Sequence, residues 1–221
     1  SSIIYESGST KFGDTIDDVH ERTGSFQVSG STTVSNLSSS YIDLDRLTNG
    51  DAPAWKPGRM WYDQDKLSLS FYNEISDVVH NLGFEFYEKG YNNTGATILN
   101  GTPVYISGSQ GDNPYMYPSQ AQSGSIHGSK NHILGVATHD ILHTEVGVAT
   151  TLGRVVGLDT SNFEAGDILY VSSSIGELTN IKPTHPHEII QVGSVIRSHA
   201  SAGIIGVRPL EPIHMDDITG I

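Results

Sequence analysis

Short apolar runs separated by glycine turns recur along the chain, and one such phrase occurs twice. The first copy runs from Asn100 to Ser107 and the second from Ala165 to Ser172. Each copy has a glycine turn, two connecting residues, and an apolar-Tyr-apolar run that ends at Ser. β-Branched and aromatic residues bounded by Gly and Ser are typical of short strands. Both copies therefore predict a strand.

The segments that follow the two copies are also similar. Two glycine-containing apolar runs, 133–138 and 146–150, follow the first copy, and two more, 191–196 and 202–207, follow the second. A phrase repeated in the same order predicts a domain built from two related halves. We therefore expect residues 91–212 to form a C-terminal β-barrel or sandwich with internal duplication, and 213–221 to form a tail.

Residues 51–90 are predicted to form a linker and a β-hairpin connector. Two prolines between Asp51 and Pro57 oppose both helix and sheet. The following segment predicts a strand over 60–62, a polar turn over 63–66 and a strand from Leu67 to Phe71. Alternation places Leu67, Leu69 and Phe71 on one face and Trp61 on the other. A lone hairpin is marginally stable in water, so one face must pack on something.

Residues 1–50 are rich in Ser, Thr and Gly and carry few large apolar groups. One interpretation is that this segment is a disordered leader. The other is a β-fibrous or attachment segment, in which three copies wind together and bury Phe12, Phe26 and Val28 along a shared axis. The clustering of the apolar residues favours the second reading. The predicted fold class is thus all-β, with an extended N-terminal fibrous segment, a hairpin connector and a duplicated C-terminal β domain.

Composition narrows the classes of function. The formal net charge is −13. This charge argues against nucleic-acid binding, because a protein needs a basic surface to bind the phosphates. No apolar run approaches the length of a membrane span, so we expect no membrane insertion. The chain has no cysteine, which excludes disulfides and thiol chemistry. The chain begins with Ser1 rather than Met, which suggests a fragment or a processed product.

Histidine and tyrosine supply the candidate binding residues. His185 and His187 are spaced so that both imidazoles could reach one metal ion, but two histidines are weak evidence and we expect no metal. Tyr115 and Tyr117, in the predicted loop 108–128, are candidate receptor contacts. The alternative is that Tyr117 closes the end of the barrel. No nucleophile elbow is present, so we expect no enzymatic activity and no cofactor.

Several stretches resemble structural proteins of bacteriophages. Residues Ser7–Asp14, Asp17–Ser25 and Val28–Ser31 look like a repeat of marine and cyanophage tail or head fibres. The hairpin from Gly58 to Asn73, and the run from Tyr91 to Tyr105, are similar to other parts of such fibres. The two-half β pattern also resembles that of capsid-decoration proteins.

The resemblance implies a virion protein, assembled in the host cytoplasm, that forms a homotrimeric fibre or appendage and contacts other virion proteins. The interface residues would be Phe12, Phe26, Val28, Trp61, Leu67, Leu69 and Phe71. Two alternatives stay open. One is a capsid cement protein that clamps capsid subunits, and the other is a receptor-binding module that contacts host surface glycan.

Overall fold

The computed structural model describes residues 33–34, 37–44, 46–76, 78–121 and 132–210. The chain divides into two compact units, Ser1–Asp43 and Leu44–Ile221. The residues described in the first unit form no helix or strand. Phe12, Phe26 and Val28 lie outside the described residues, so the intertwined N-terminal segment stays a prediction. The segment boundaries at residues 50, 90 and 212 stay predictions as well.

The second unit is essentially all-β, as the sequence predicts. Its first sheet has the order β1-β2-β3-β4, in which β1 is parallel to β2 and the other pairs are antiparallel. A short 3-10 turn, Asn49–Asp51, follows β1. The strands of this sheet are β1 (Arg46–Leu47), β2 (Met60–Asp63), β3 (Ser68–Tyr72) and β4 (Val79–Asn81).

Five strands close into a barrel, in the order β9-β5-β7-β6-β8, with β8 pairing back to β9. The strands are β5 (Phe86–Asn92), β6 (Pro103–Gln110), β7 (Asn113–Pro118), β8 (Ile133–Ala137) and β9 (Val146–Leu158). Only the β5–β7 pair is parallel. The barrel core is made by Ile98, Val104, Met116, Ala137, Ile141 and Ala149.

Strand β9 leaves the barrel and continues into an outer sheet. Its residues 146–152 pair with β5, and its residues 153–158 pair with β13. The outer strands are β10 (Ile168–Val171), β11 (Leu178–Thr179), β12 (Gln191–Arg197) and β13 (Gly203–Val207), in the order β11-β10-β12-β13-β9. Val155, Leu169, Val192, Ile205 and Val207 are among the residues of a second apolar core. The barrel and the outer sheet thus share one strand.

The predicted duplication is present in the register of the strands. The meander β6-β8-β9 and the meander β10-β12-β13 are both antiparallel. Each contains a strand pair in which an apolar residue faces a glycine, and each has a register shift at the next residue, a tyrosine. The matching pairs are Val104 with Gly135 and Leu169 with Gly193, and the tyrosines are Tyr105 and Tyr170.

The turns that open the two meanders also match. Gly101 and Gly166 have φ of +88° and +97°, which glycine adopts without steric cost. The Gly101 amide donates to the Ala137 carbonyl at 2.9 Å, and the Gly166 amide donates to the Val195 carbonyl at 2.8 Å. The same phrase in the sequence therefore produces the same turn, bulge and pairing twice.

No helix among the described residues is long and apolar enough to cross a membrane.

Candidate functional site

The hairpin sheet carries its more apolar side chains on the face that points away from the protein interior. Strands β2 and β3 pair Met60 with Phe71 and Tyr62 with Leu69. The Leu82 amide donates to the Leu69 carbonyl, which extends the second row across to β4. Met60 and Leu82 are 57% and 52% exposed. We call these five residues the outer hairpin face.

The opposite face of the same sheet is buried although several of its residues are polar. Trp61 is only 4% exposed, and its ring lies 4.6 Å from that of Tyr72. Ser70 is fully buried, and its hydroxyl donates to Asn81 Oδ1 at 2.8 Å. The predicted interface residue Trp61 is therefore covered by its own chain, on the face opposite Leu69 and Phe71.

Leu67 lies in the turn before β3 and not in the strand, so its predicted place beside Leu69 and Phe71 is wrong. The second strand begins at Ser68, one residue later than predicted, and Leu67 lies in the turn with φ of +52°. The turn extends this far because the buried Asp63 carboxylate accepts hydrogen bonds from the amides of Asp65 and Lys66. Leu67 is exposed, whereas Leu69 and Phe71 are partly buried.

A partly buried polar cluster connects this sheet to the barrel, and sequence reasoning missed it. Glu85 Oε2 accepts hydrogen bonds from the Tyr87 hydroxyl and from Asn81 Nδ2. The His80 ring stacks on Phe71 at 4.8 Å and meets the edge of Tyr87 at 4.5 Å. Asn81 ends β4, Glu85 lies in the connection between the strands and Tyr87 is in β5, so the three residues form no local motif. The contacts arise only when β4 and β5 come together.

The environment of the cluster shifts two of its pKa values. Burial raises the pKa of Tyr87, and the hydrogen bond to Glu85 raises it further. Burial lowers the pKa of His80, against the opposing charge of Glu85. Both groups are therefore neutral at pH 7. A neutral His80 accepts a hydrogen bond from Asn73 Nδ2. The cluster is suited to positioning β4 and β5.

The two tyrosines predicted as loop residues lie in strand β7 instead. Strands β6 and β7 extend further than the sequence indicates, so the turn between them is confined to Gly111 and Asp112. Tyr115 and Tyr117 are partly buried within a row of aromatic rings on the barrel. Neighbouring rings in this row, Tyr91–Tyr115–Tyr117–Tyr105, have centroids 5.7–6.4 Å apart. Burial raises the pKa of Tyr105.

The histidine candidates are separated by their environments. His185 is exposed, whereas His187 is partly buried with its Nδ1 3.2 Å from the Ala121 carbonyl. His139 is buried between the Asp140 carbonyl at Nδ1 and the Val148 amide at Nε2. Within the part of the chain that the structure describes, no three His, Asp or Glu residues converge in a way that could hold a metal ion.

No protein-family model, no curated protein and no solved structure matches this chain. Function is therefore inferred from the residues and their geometry. The feature that stands apart from ordinary protein surface is the outer hairpin face, since a sheet with one solvated side normally places its polar residues there.

Proposed function

We propose that this protein is a structural component of a bacteriophage virion, in which three copies assemble into a fibre or appendage. The outer hairpin face carries the proposal, because large apolar side chains on a solvated sheet mark an interaction surface. The opposite face of the same sheet is the buried one, although it carries the polar residues Ser68, Ser70 and Asn81. We expect no catalytic activity.

Burial of the outer hairpin face between copies gives the assembly its driving force. Removal of apolar surface from water contributes about 25 cal/mol per Å². The row Met60–Phe71–His80 crosses three strands, and the row Tyr62–Leu69–Leu82 lies beside it. The number of three copies comes from the resemblance of this hairpin to those beside trimer interfaces in phage fibres.

The solution mass tests the proposal. Light scattering on a gel-filtration column should give three times the 23.8 kDa of the chain, and the mass should resist dilution. The double variant Met60→Lys/Leu82→Lys should elute as a monomer, because it replaces two exposed apolar side chains of the interface with charged ones. These side chains are already exposed, so the protomer should keep its fold.

The matched control is Ile175→Lys/Ile181→Lys, which changes two exposed apolar residues outside the outer hairpin face. This variant should keep the trimeric mass. A monomeric wild-type chain would overturn the trimer and leave the capsid cement alternative. A trimer that survives Met60→Lys/Leu82→Lys would show that the copies meet elsewhere.

A second candidate function is a receptor contact through the row of tyrosines on the barrel. Tyrosine rings offer both an apolar face and a polar hydroxyl to a glycan or a protein. Tyr115 and Tyr117 are central in the row. If this function is correct, Tyr115→Ala should abolish signal on a host-glycan array while the solution mass stays unchanged. Silence of the wild-type chain on such an array, under conditions where intact phage adsorbs, would contradict it.

A further inference from the structure

A groove of about 620 Å³ crosses the outer surface of β12 and β13. Its walls carry four apolar side chains from four different parts of the chain, Phe84, Leu152, Ile168 and Leu210. Each of them is between 41% and 47% exposed. A concave surface lined by large apolar groups is typical of a binding site.

The floor of the groove contains two glycines. Gly193 cannot be replaced within this sheet, since its Cβ would lie 1.8 Å from the Gly206 carbonyl oxygen. A Cβ on Gly206 would meet only the end of the Ile196 side chain, at 3.3 Å. With no side chain on either residue, an occupant can approach the strand backbone closely.

Two arginines lie in or beside the groove although the chain carries a net charge of −13. Arg208 lines the groove, and the Arg154 guanidinium lies 5.9 Å from the centre of the Phe84 ring. Neither arginine forms an ion pair with any other described residue. Arginine favours carboxylate partners. The groove is therefore complementary to an occupant that combines apolar side chains with acidic groups.

We propose that this groove binds residues 211–221 of the same chain. This segment follows directly from Leu210, whose amide donates to the Gln191 carbonyl at the edge of the groove. Eleven residues can extend over about 36–40 Å, and the segment starts at Leu210, which itself lines the groove. The segment has the required composition: its apolar residues are Ile213, Met215, Ile218 and Ile221, and its acidic residues are Glu211, Asp216 and Asp217.

The tether favours the chain's own segment over other occupants. A short linker holds its ligand at an effective concentration in the millimolar range, so that even a weak intrinsic affinity fills the groove. The chain's own segment thus acts as an intramolecular ligand, which another partner of this surface has to displace. The proposal involves no residue of the outer hairpin face and does not depend on the assembly of copies.

A fluorescent label on the segment tests the proposal in the whole 221-residue chain. The chain has no cysteine, so Met215→Cys provides one site for acrylodan, whose emission moves to shorter wavelength in apolar surroundings. In the parent chain we expect short-wavelength emission. Adding Ile168→Lys, which places a charge on the groove wall, should shift the emission to longer wavelength. Arg208→Glu should do the same, because it sets a carboxylate against an acidic segment.

Ile181→Lys is the matched control, since Ile181 is 75% exposed and lies outside the groove. It should leave the emission unchanged. A label at Ile218→Cys should repeat the pattern, which guards against a local effect of the dye. Emission that does not respond to Ile168→Lys, with an unchanged circular dichroism spectrum, would overturn the proposal. Emission that depends on protein concentration would also overturn it, since the occupant would then come from another copy.

Discussion

At the scale of single residues, the histidine between two aromatic rings links stability to pH. His80 stacks on Phe71, meets Tyr87 and accepts a hydrogen bond from Asn73. Burial lowers its pKa below the ordinary value of 6.5. Protonation would place an N–H group against the Asn73 amide, which is itself a donor. The unfolded chain therefore binds this proton more readily than the folded chain does.

The first prediction concerns the pH dependence of unfolding. Since the folded-state pKa of His80 lies below its unfolded value, its contribution to stability is complete above pH 6.5 and declines as the pH falls through the folded-state pKa. Urea unfolding of His80→Phe between pH 7.5 and pH 5 should show a weaker loss of stability than the wild type. His185→Phe, at an exposed position, should keep the wild-type dependence. Equal slopes for wild type and His80→Phe would refute the prediction.

The residues of the hairpin show what the sequence could and could not predict. Alternation correctly separated Trp61 from Leu69 and Phe71, because successive side chains of a strand point to opposite faces. Which face is buried did not follow from hydrophobicity. Ser68 and Ser70 lie inside and Leu69 and Phe71 face outward. The Ser70 hydroxyl is satisfied by Asn81 of the neighbouring strand, which the sequence of the hairpin alone does not show. Leu67 was misplaced because the carboxylate of Asp63 extends the turn.

At the scale of elements, a glycine in the middle strand of each meander allows close approach of the next strand. A Cβ on Gly135 would lie 2.1 Å from the Thr150 carbonyl oxygen, and a Cβ on Gly193 would lie 1.8 Å from that of Gly206. Both oxygens belong to the backbone of the adjacent strand, which cannot move aside without breaking its pairing. The two positions are equivalent within the duplicated pattern.

The second prediction follows from this equivalence. Gly135→Ala and Gly193→Ala should each lower the free energy of unfolding by about 1–3 kcal/mol, towards the upper end, because overpacking here forces backbone displacement. The urea midpoint measures the effect. Gly206→Ala is the matched control and should change the midpoint little, since its Cβ meets only the end of the Ile196 side chain. A tolerated alanine at either Gly135 or Gly193 would contradict the close approach.

The repeated phrase made the duplication predictable, whereas closure of the barrel was not. Gly101 and Gly166 stand at the same place in both copies, so the turn could be inferred from local sequence alone. The β5–β9 pairing that completes the barrel joins residues distant in the chain, such as Tyr91 and Val146. For the same reason the groove walls, drawn from four separated segments, have no signature in the sequence.

At the scale of the whole second unit, strand β9 joins two apolar cores. The barrel core includes Met116 and Ala149, and the outer core includes Val155 and Ile205. Gly153 marks the passage between them, with φ of +132° and a Cβ position 2.9 Å from the Phe84 carbonyl oxygen. Because β9 pairs in both sheets, we expect that loss of its pairs on one side disturbs the other.

The last prediction is that the barrel and the outer sheet unfold together. Ile205→Ala removes a side chain that is 1% exposed in the outer core and should lower the free energy of unfolding by about 2–5 kcal/mol. Hydrogen exchange measured by mass spectrometry should then accelerate by a similar factor in β12, in the outer sheet, and in β6, on the far side of the barrel. Met116→Ala, in the barrel core, should produce the same pattern from the other side.

If Ile205→Ala accelerates exchange only in β10, β12 and β13, the two sheets open separately and β9 does not couple them. Joint acceleration would instead show that the barrel and the outer sheet open as one cooperative unit, with β9 as the strand that couples them.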